Sequence, residues 1–186
     1  MLLVCSLLFH AGMAQTVETF ILPNAVTGKA YNLSDDLNKK GVAIIFFSNQ
    51  CPYAEYYLSR INQLNEQYAS KGIRTILVNS NATQYSPDES IENMKRYANA
   101  NGIEFPYLAD KDKQVMRQLG AKRIPEVYLL DTSNGQFKVV YRGAIDDNPQ
   151  SEGDVHQEYL NDAVVNLLSN KTISVKTTRA VGCLIK

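Results

Sequence analysis

The stretch VAIIFFSNQCPYAEYYLSRINQLNEQY, residues 42–68, decides the fold. Its first part, Val42 to Phe47, is apolar without a break and rich in β-branched and aromatic residues. A short run of that kind reads as a strand buried on both faces, as in the middle of an α/β sheet. The last part changes period. Ala54, Tyr57, Leu58, Ile61, Leu64 and Tyr68 recur at helical spacing, and Gly72 follows as the stop. Between the two lies Ser48-Asn49-Gln50-Cys51-Pro52. Proline suits a first helical turn, where its missing N–H would be unpaired anyway. Cys51 is therefore expected at the helix N-terminus, facing unpaired backbone N–H groups and the positive end of the helix dipole. That setting lowers a thiol pKa below its usual value of about 8.5 and raises the share of nucleophilic thiolate. The competing reading is an inert core thiol, which more often lies within a strand or on a helix face.

Working outward, the same alternation continues. Thr16 to Leu22 is strand-like and ends at Pro23; Asn24 to Tyr31 holds a turn at Gly28 and predicts a hairpin. Arg74 to Val78 is the next strand. Ser86 as cap, Pro87 at the first position and Glu89 closing a capping box predict a helix with Ile91, Met94 and Ala98 inward and Gly102 at its end. Phe105 to Leu108 reads as a short strand, and Gln114 to Leu119 as a short helix with Gly120 behind it. Glu126 to Leu130 and Phe137 to Tyr141 are antiparallel strands around the turn Asp131 to Gly135. Leu160, Ala163, Val164, Leu167 and Leu168 mark a last helix, and Thr172 to Lys186 an extended tail. The reading is one α/β domain over residues 15–186, with no internal repeat.

The 186 residues suffice for one full core. Lys and Arg number 19, as do Asp and Glu, so no charge excess argues for nucleic acid or an anionic membrane surface. The chain opens MLLVCSLLFHAGMAQ. The apolar run Leu2 to Phe9 is too short to span a bilayer, and Gly12 and Ala14 stand at −3 and −1 before Gln15. Residues 1–14 are read as a cleaved signal peptide, without the usual basic start, and the protein as periplasmic or secreted. A buried N-terminal element is the competing reading, and Val4 disfavours a lipidated Cys5. Of the 3 cysteines, Cys51 and Cys183 remain after cleavage. An even count in an exported protein allows a disulfide. One of that span stabilises by about 4–5 kcal/mol in the chain-entropy model.

Five segments, FFSNQCPYAEYY, NSNATQYSPDESIENM, FPYLADKDKQVMRQLGAKRIPEVYLLD, YRGAIDD and GCLIK, occur in that order. Together they resemble the peroxiredoxin-like branch of the thioredoxin superfamily, related to the alkyl hydroperoxide reductase/thiol-specific antioxidant group. The resemblance runs from about Phe20 to Lys186. It implies a thioredoxin-like fold: a central mixed β-sheet flanked by helices, with the N-terminal β-hairpin as an extension and the reactive cysteine at a helix N-terminus. Ser48 looks like the Thr/Ser that hydrogen-bonds the peroxidatic thiolate and the peroxide. Pro125 looks like the cis-proline that faces the reactive thiol. Three positions depart from the pattern. Ile44 stands where typical peroxiredoxins have proline, Arg123 is out of register with their arginine, and Ala54 replaces the second cysteine of thioredoxin. A simple dithiol reductase is therefore not expected.

Other polar residues have two readings each. Glu126 is either a proton acceptor near Cys51 or a solvated residue at a strand edge. Asp146 and Asp147 form a metal-binding or anion-repelling rim or, by preference, serve a turn. His156, the one histidine left once residues 1–14 are removed, reads as a surface residue, and with two distant cysteines it makes no zinc site, so no metal or cofactor is expected. Tyr53, Tyr56 and Tyr57 could line a groove, with Tyr57 more at home in the core. No phosphate loop, dinucleotide glycine pattern or Ser-His-Asp order appears.

The expected chemistry is a thiol redox cycle. Cys51 thiolate attacks a peroxide oxygen and becomes a sulfenic acid; Cys183 condenses with it, and an external thiol reductant restores the dithiol. Two other classes stay open: a single-cysteine thiol–disulfide oxidoreductase acting on exported proteins, and a non-enzymatic binding module stapled by Cys51–Cys183. Either disulfide reading needs the two Cα atoms within about 7 Å. Gly182 is expected to let the tail turn inward, and Val181, Leu184 and Ile185 to dock on the surface.

Overall fold

The computed structural model describes residues 15–81 and 87–186, so the signal-peptide reading of residues 1–14 and the Ser86 cap lie outside the described residues. In chain order the elements are β1 (Thr16–Val17), β2 (Ile21–Pro23), β3 (Ala30–Asn32), β4 (Gly41–Phe46), α1 (Pro52–Tyr68), β5 (Ile73–Asn79), α2 (Ile91–Ala100), β6 (Tyr107–Ala109), α3 (Gln114–Leu119), β7 (Arg123–Ile124), β8 (Glu126–Asp131), β9 (Phe137–Gly143), α4 (Tyr159–Leu168) and β10 (Cys183–Leu184).

The run Val42 to Phe47 earns its place at the centre. Every residue of β4 is buried, between β5 on one side and β8 on the other. The six-stranded sheet has the order β1-β9-β8-β4-β5-β6. β4, β5 and β6 run parallel, while β8 and β9 return antiparallel across the turn at Gly135. Aromatic side chains lock the layers: Phe46 meets Tyr128 edge-on with centroids 5.9 Å apart, and Phe47 meets Tyr107 at 5.6 Å. β2 and β3 form the separate N-terminal hairpin, closed by Gly28 at φ +70°, a value that favours glycine.

Two local expectations change. The strand over Thr16–Leu22 is two: β1 pairs with β9 at the sheet edge, and β2 leaves the sheet to pair with β3. The second helix starts later. Pro87–Glu89 is a single 3₁₀ turn, and Ser90 caps α2 by accepting from Asn93 N at 3.3 Å. Glu89 precedes that cap; it is buried and turns to the core.

Helix α1 is anchored at its middle. Tyr57 Oη donates to Asp146 Oδ1 at 2.8 Å, and Arg60 forms an ion pair with the other oxygen of that carboxylate. Asp146 also accepts from Asn148 N at 3.0 Å, so it serves a turn and a buried anchor rather than a rim. Asp147 accepts from His156 N at 2.9 Å, a bond that holds its carboxyl below the usual range. His156 is exposed.

Candidate active site

β4 ends at Phe46, and the chain turns through Ser48-Asn49-Gln50 into α1. Cys51 is the N-cap residue of that helix, extended at φ −101° and ψ 113°, with Pro52 at the first helical position. Its carbonyl accepts from Ala54 N at 2.9 Å and Glu55 N at 3.2 Å, which starts the helix. The sulfur is 4% exposed with its residue and forms a disulfide with Cys183, the Cα atoms 6.1 Å apart. The loop closed spans 132 residues. Ile124-Pro125 is a cis peptide, and the Ile124 carbonyl oxygen lies 3.3 Å from Cys51 Sγ.

The other sulfur arrives from the tail. β10 pairs antiparallel with β7, Cys183 opposite Ile124 and Leu184 opposite Arg123. Arg123 Nη1 donates to the Gly182 carbonyl at 3.2 Å, so Arg123 holds the tail. The expected docking of the tail's apolar residues is only partly met. Leu184 is 62% and Val181 49% exposed, while Ile185 is half-buried. For Leu184 the cause is strand alternation, since Cys183 and Ile185 share the inward face and the residue between them points out, whereas Val181 lies before the strand.

The polar residues near the site are occupied. Ser48 Oγ donates to Glu89 Oε1 and accepts from Gln50 N at 3.2 Å. Glu89 also accepts from Asn49 N at 3.1 Å and Asn79 Nδ2 at 2.7 Å. Such donors satisfy the oxygens of a buried acidic side chain. Tyr107 Oη donates to Asn49 Oδ1 at 2.9 Å; burial, and then the Glu89 charge, push its hydroxyl pKa far up, so it stays protonated. Glu126 accepts from Lys122 N at 2.8 Å, Arg123 N at 3.0 Å and Tyr128 Oη at 3.1 Å, which ties down the turn before Pro125. Tyr57 is buried, Tyr56 is exposed, and Tyr53 packs edge-on against Tyr56 at 6.3 Å.

Three features of the site went unread in the sequence. Glu89 as the carboxylate that holds residues 48 and 49 was hidden by a local capping signal. The only hint was the second cap pattern, Ser90 to Asn93. The Ile124 carbonyl is backbone and carries no side-chain signature. Arg123 as a tail anchor depends on a partner far along the chain. A cleft of about 930 Å³, ringed by Lys39, Lys138, Lys171 and Lys176, lies near the start of β4, at the opposite end from Cys51. Among the described residues no cluster of His, Cys, Asp and Glu could hold a metal ion, and no helix is long and apolar enough to cross a membrane.

The chain has relatives of similar sequence and fold among known proteins. The family model described as Redoxin matches residues 12–158, which includes Cys51 and leaves out Cys183. The thiol-disulfide oxidoreductase ResA of Geobacillus thermodenitrificans is 26% identical over 133 residues, 72% of this chain and 71% of that one. The crystal structure of a hypothetical protein from Sinorhizobium meliloti superposes with a TM-score of 0.84 at 30% identity, covering 94% of this chain and 93% of that one. A putative thiol:disulfide interchange protein DsbE from Chlorobium tepidum superposes at 0.65 with 22% identity, over 84% of this chain and 97% of its own, a likeness of fold. The fold is thioredoxin-like, as the resemblance implied.

Proposed function

Since this chain belongs to the Redoxin family, we propose that it is a thiol–disulfide oxidoreductase acting on disulfides of exported proteins, with Cys51 as the attacking sulfur and Cys183 as its partner. It is a thiol redox protein, and the relatives it resembles in sequence are named for thiol–disulfide exchange. The single observation that carries the reading is the bond from Cys51, at the N-terminus of α1 and beside the cis-proline, to a cysteine on an exposed tail.

The reduced protein begins the cycle. The helix N-terminus favours Cys51 as thiolate. It attacks one sulfur of a partner disulfide, forms a mixed disulfide and releases the partner's first thiolate. Cys183 thiolate then attacks the Cys51 sulfur. Cys51–Cys183 closes, and the partner leaves with both its sulfurs reduced. Two electrons pass from this protein to the partner, and an external dithiol resets it. The cis Ile124-Pro125 peptide borders the sulfur, and the exposed Tyr56, with the half-buried Tyr53 packed against it, offers a rim against which a partner can pack. Export fits, because a disulfide persists in an oxidising compartment. Intact-mass analysis of exported protein should then find Gln15 first, and a product that keeps Cys5 would overturn that part.

The peroxide version of the chemistry ranks second. It would use the Ser48 hydroxyl beside the thiolate, but that hydroxyl donates to Glu89. The decisive measurement sets the two substrates side by side. The reduced protein is mixed with a protein disulfide or with hydrogen peroxide, and free thiols are counted against time. We expect exchange with the disulfide that vanishes in Cys51→Ser, and peroxide consumption no faster than that of free cysteine. Fast peroxide consumption without disulfide exchange would move the reading to a peroxidase. Inertness to both would leave a structural staple.

A further inference from the structure

The tail reaches Cys51 from a mooring five residues upstream. Thr178 N donates to the Arg142 carbonyl at 3.0 Å, and Arg142 N donates to the Lys176 carbonyl at 3.0 Å. Thr178 Oγ1 accepts from Ala144 N at 2.9 Å and lies 2.7 Å from Tyr141 Oη. The approach is so close that a Cβ on Gly143, at φ +137°, would stand 2.8 Å from the Thr178 carbonyl carbon. Beyond this point the Gly182 carbonyl accepts from Arg123 Nη1, β10 pairs with β7, and the end of the chain is held as well. Ile185 N donates to the Lys122 carbonyl at 3.1 Å, and Lys186 N donates to Asn81 Oδ1 at 2.8 Å.

Between the two moorings sits Gly182, one residue before Cys183. A Cβ there would collide with the Ile124 carbonyl oxygen and stand 2.6 Å from its carbon and 3.2 Å from Pro125 N. These are backbone atoms, so no side chain can swing away to make room. The same Ile124 oxygen lies 3.3 Å from Cys51 Sγ. One peptide group is thus wedged between Cys51 and residue 182. Anything larger than hydrogen at 182 lifts the strand off β7 at the place where its cysteine has to arrive.

We propose that Gly182 is the positioning residue of the Cys51–Cys183 couple: its missing side chain lets the tail lie against the Ile124 carbonyl, so that Cys183, moored through Thr178, is the thiol presented to Cys51. This rests on the reading of the two sulfurs as a working couple. The step it governs is the second exchange. Cys183 thiolate displaces the partner's thiolate from the Cys51 sulfur; one S–S bond breaks, one forms, and the partner's thiolate takes a proton from water. A short tether makes this step intramolecular at high effective concentration, but only while the strand fits its edge. Gly182 does not touch the reacting atoms, and Val181 and Leu184 beside it are exposed. Its effect should therefore fall on closure and not on the fold.

The test equilibrates the protein with glutathione buffers and reads, by thiol alkylation and mass, the fraction closed as Cys51–Cys183. Gly182→Ala should lower the effective concentration of Cys183 about tenfold or more, as overpacking against backbone does, with Cys51 instead trapped as its glutathione mixed disulfide. Val181→Ala, whose side chain meets solvent, should stay within about twofold. A second measurement uses the Cys183→Ser background, in which the rate of Cys51 with glutathione disulfide should be the same with and without Gly182→Ala. If Gly182→Ala closes as well as the parent, the proposal falls and the couple stands. If Gly182→Ala also slows Cys51 in the Cys183→Ser background, the glycine serves the fold, and the proposal falls again. If Cys51 in Cys183→Ser does not react with glutathione disulfide at all, the couple itself is wrong.

Discussion

The two bonded sulfurs come from regions of opposite build. Cys51 follows a strand with no exposed residue and opens a 17-residue helix whose middle is pinned by Asp146. Cys183 sits in a two-residue strand on a tail whose neighbouring side chains face water. The first sulfur is aimed by packing, which costs many contacts to disturb. The second is delivered by a tether and a few backbone hydrogen bonds, which cost little to open. A couple that must exchange partners needs this asymmetry: one sulfur held at the helix terminus, and one able to leave and return.

The strongest way to break the comparison is to reduce the bond. A closed loop of 132 residues is worth about 5 kcal/mol in the chain-entropy model, a large part of a domain's total of about 5–15. Urea melts with and without reductant should differ by up to that amount. Hydrogen exchange on the reduced protein should show residues 179–186 opening while the β4 amides stay among the slowest. Equal loss of protection in both regions would mean that the tail is part of the core. An unchanged urea midpoint would mean that the tail constrains nothing.

How much of this was legible in the sequence differs between the same two regions. At Cys51 the hydrophobic period switches from continuous to helical across a proline. That is a local signal, and the element, its cap and its burial follow from it. Glu89 carried an equally local signal and misled, because Ser-Pro-Asp-Glu satisfies a capping pattern. The carboxylate is instead drawn to Ser48, Asn49 and Asn79, donors brought near only by the sheet order. At the tail almost nothing was local. The spacing allowed a disulfide, but β10 exists because β7 offers a two-residue edge beside Pro125, and no pattern within residues 172–186 encodes that edge. Leu184 was misplaced for the same reason. Its hydrophobicity was visible, but the strand register that turns it outward was not.

A second prediction sharpens the comparison through pH. Tyr57 belongs to the anchor of α1, and Tyr141 to the mooring of the tail. Burial pushes the Tyr57 hydroxyl well above its ordinary 10.0, helped by its bond to Asp146, and takes Tyr141 up to about 12. Tyr128 is raised as well, by burial and then by Glu126. Each is neutral in the folded state at a pH where the unfolded chain has begun to ionise. Their contribution is complete below pH about 10 and is lost as the pH rises toward the folded value, by about 1.4 kcal/mol for each group at pH about 11. Urea midpoints from pH 9 upward (roughly that range), read with tyrosinate absorbance, should show the fall beginning near 10. Tyr141→Phe should ease that fall and raise tail exchange alone, whereas Tyr57→Phe should ease it and loosen α1. The comparison fails if either substitution loosens both regions alike.

The smallest expected effect is the sharpest check on the tail. Leu184 is a large apolar residue in a strand, and in a core such a position truncated to alanine costs about 2–5 kcal/mol. Here the side chain is 62% exposed, and the pairing opposite Arg123 is made by backbone groups that alanine keeps. Cys183 and Ile185, on the other face of the same strand, carry what inward contact the tail has. Leu184→Ala should therefore change stability by no more than about 0.5 kcal/mol and leave the glutathione equilibrium of Cys51–Cys183 where it was. Ile185→Ala, one residue on, should lower both. A loss of more than about 1 kcal/mol in Leu184→Ala would show that the outward face of β10 is packed in solution. The second sulfur would then be held as firmly as the first, and a tail so held could not release Cys183 between exchanges.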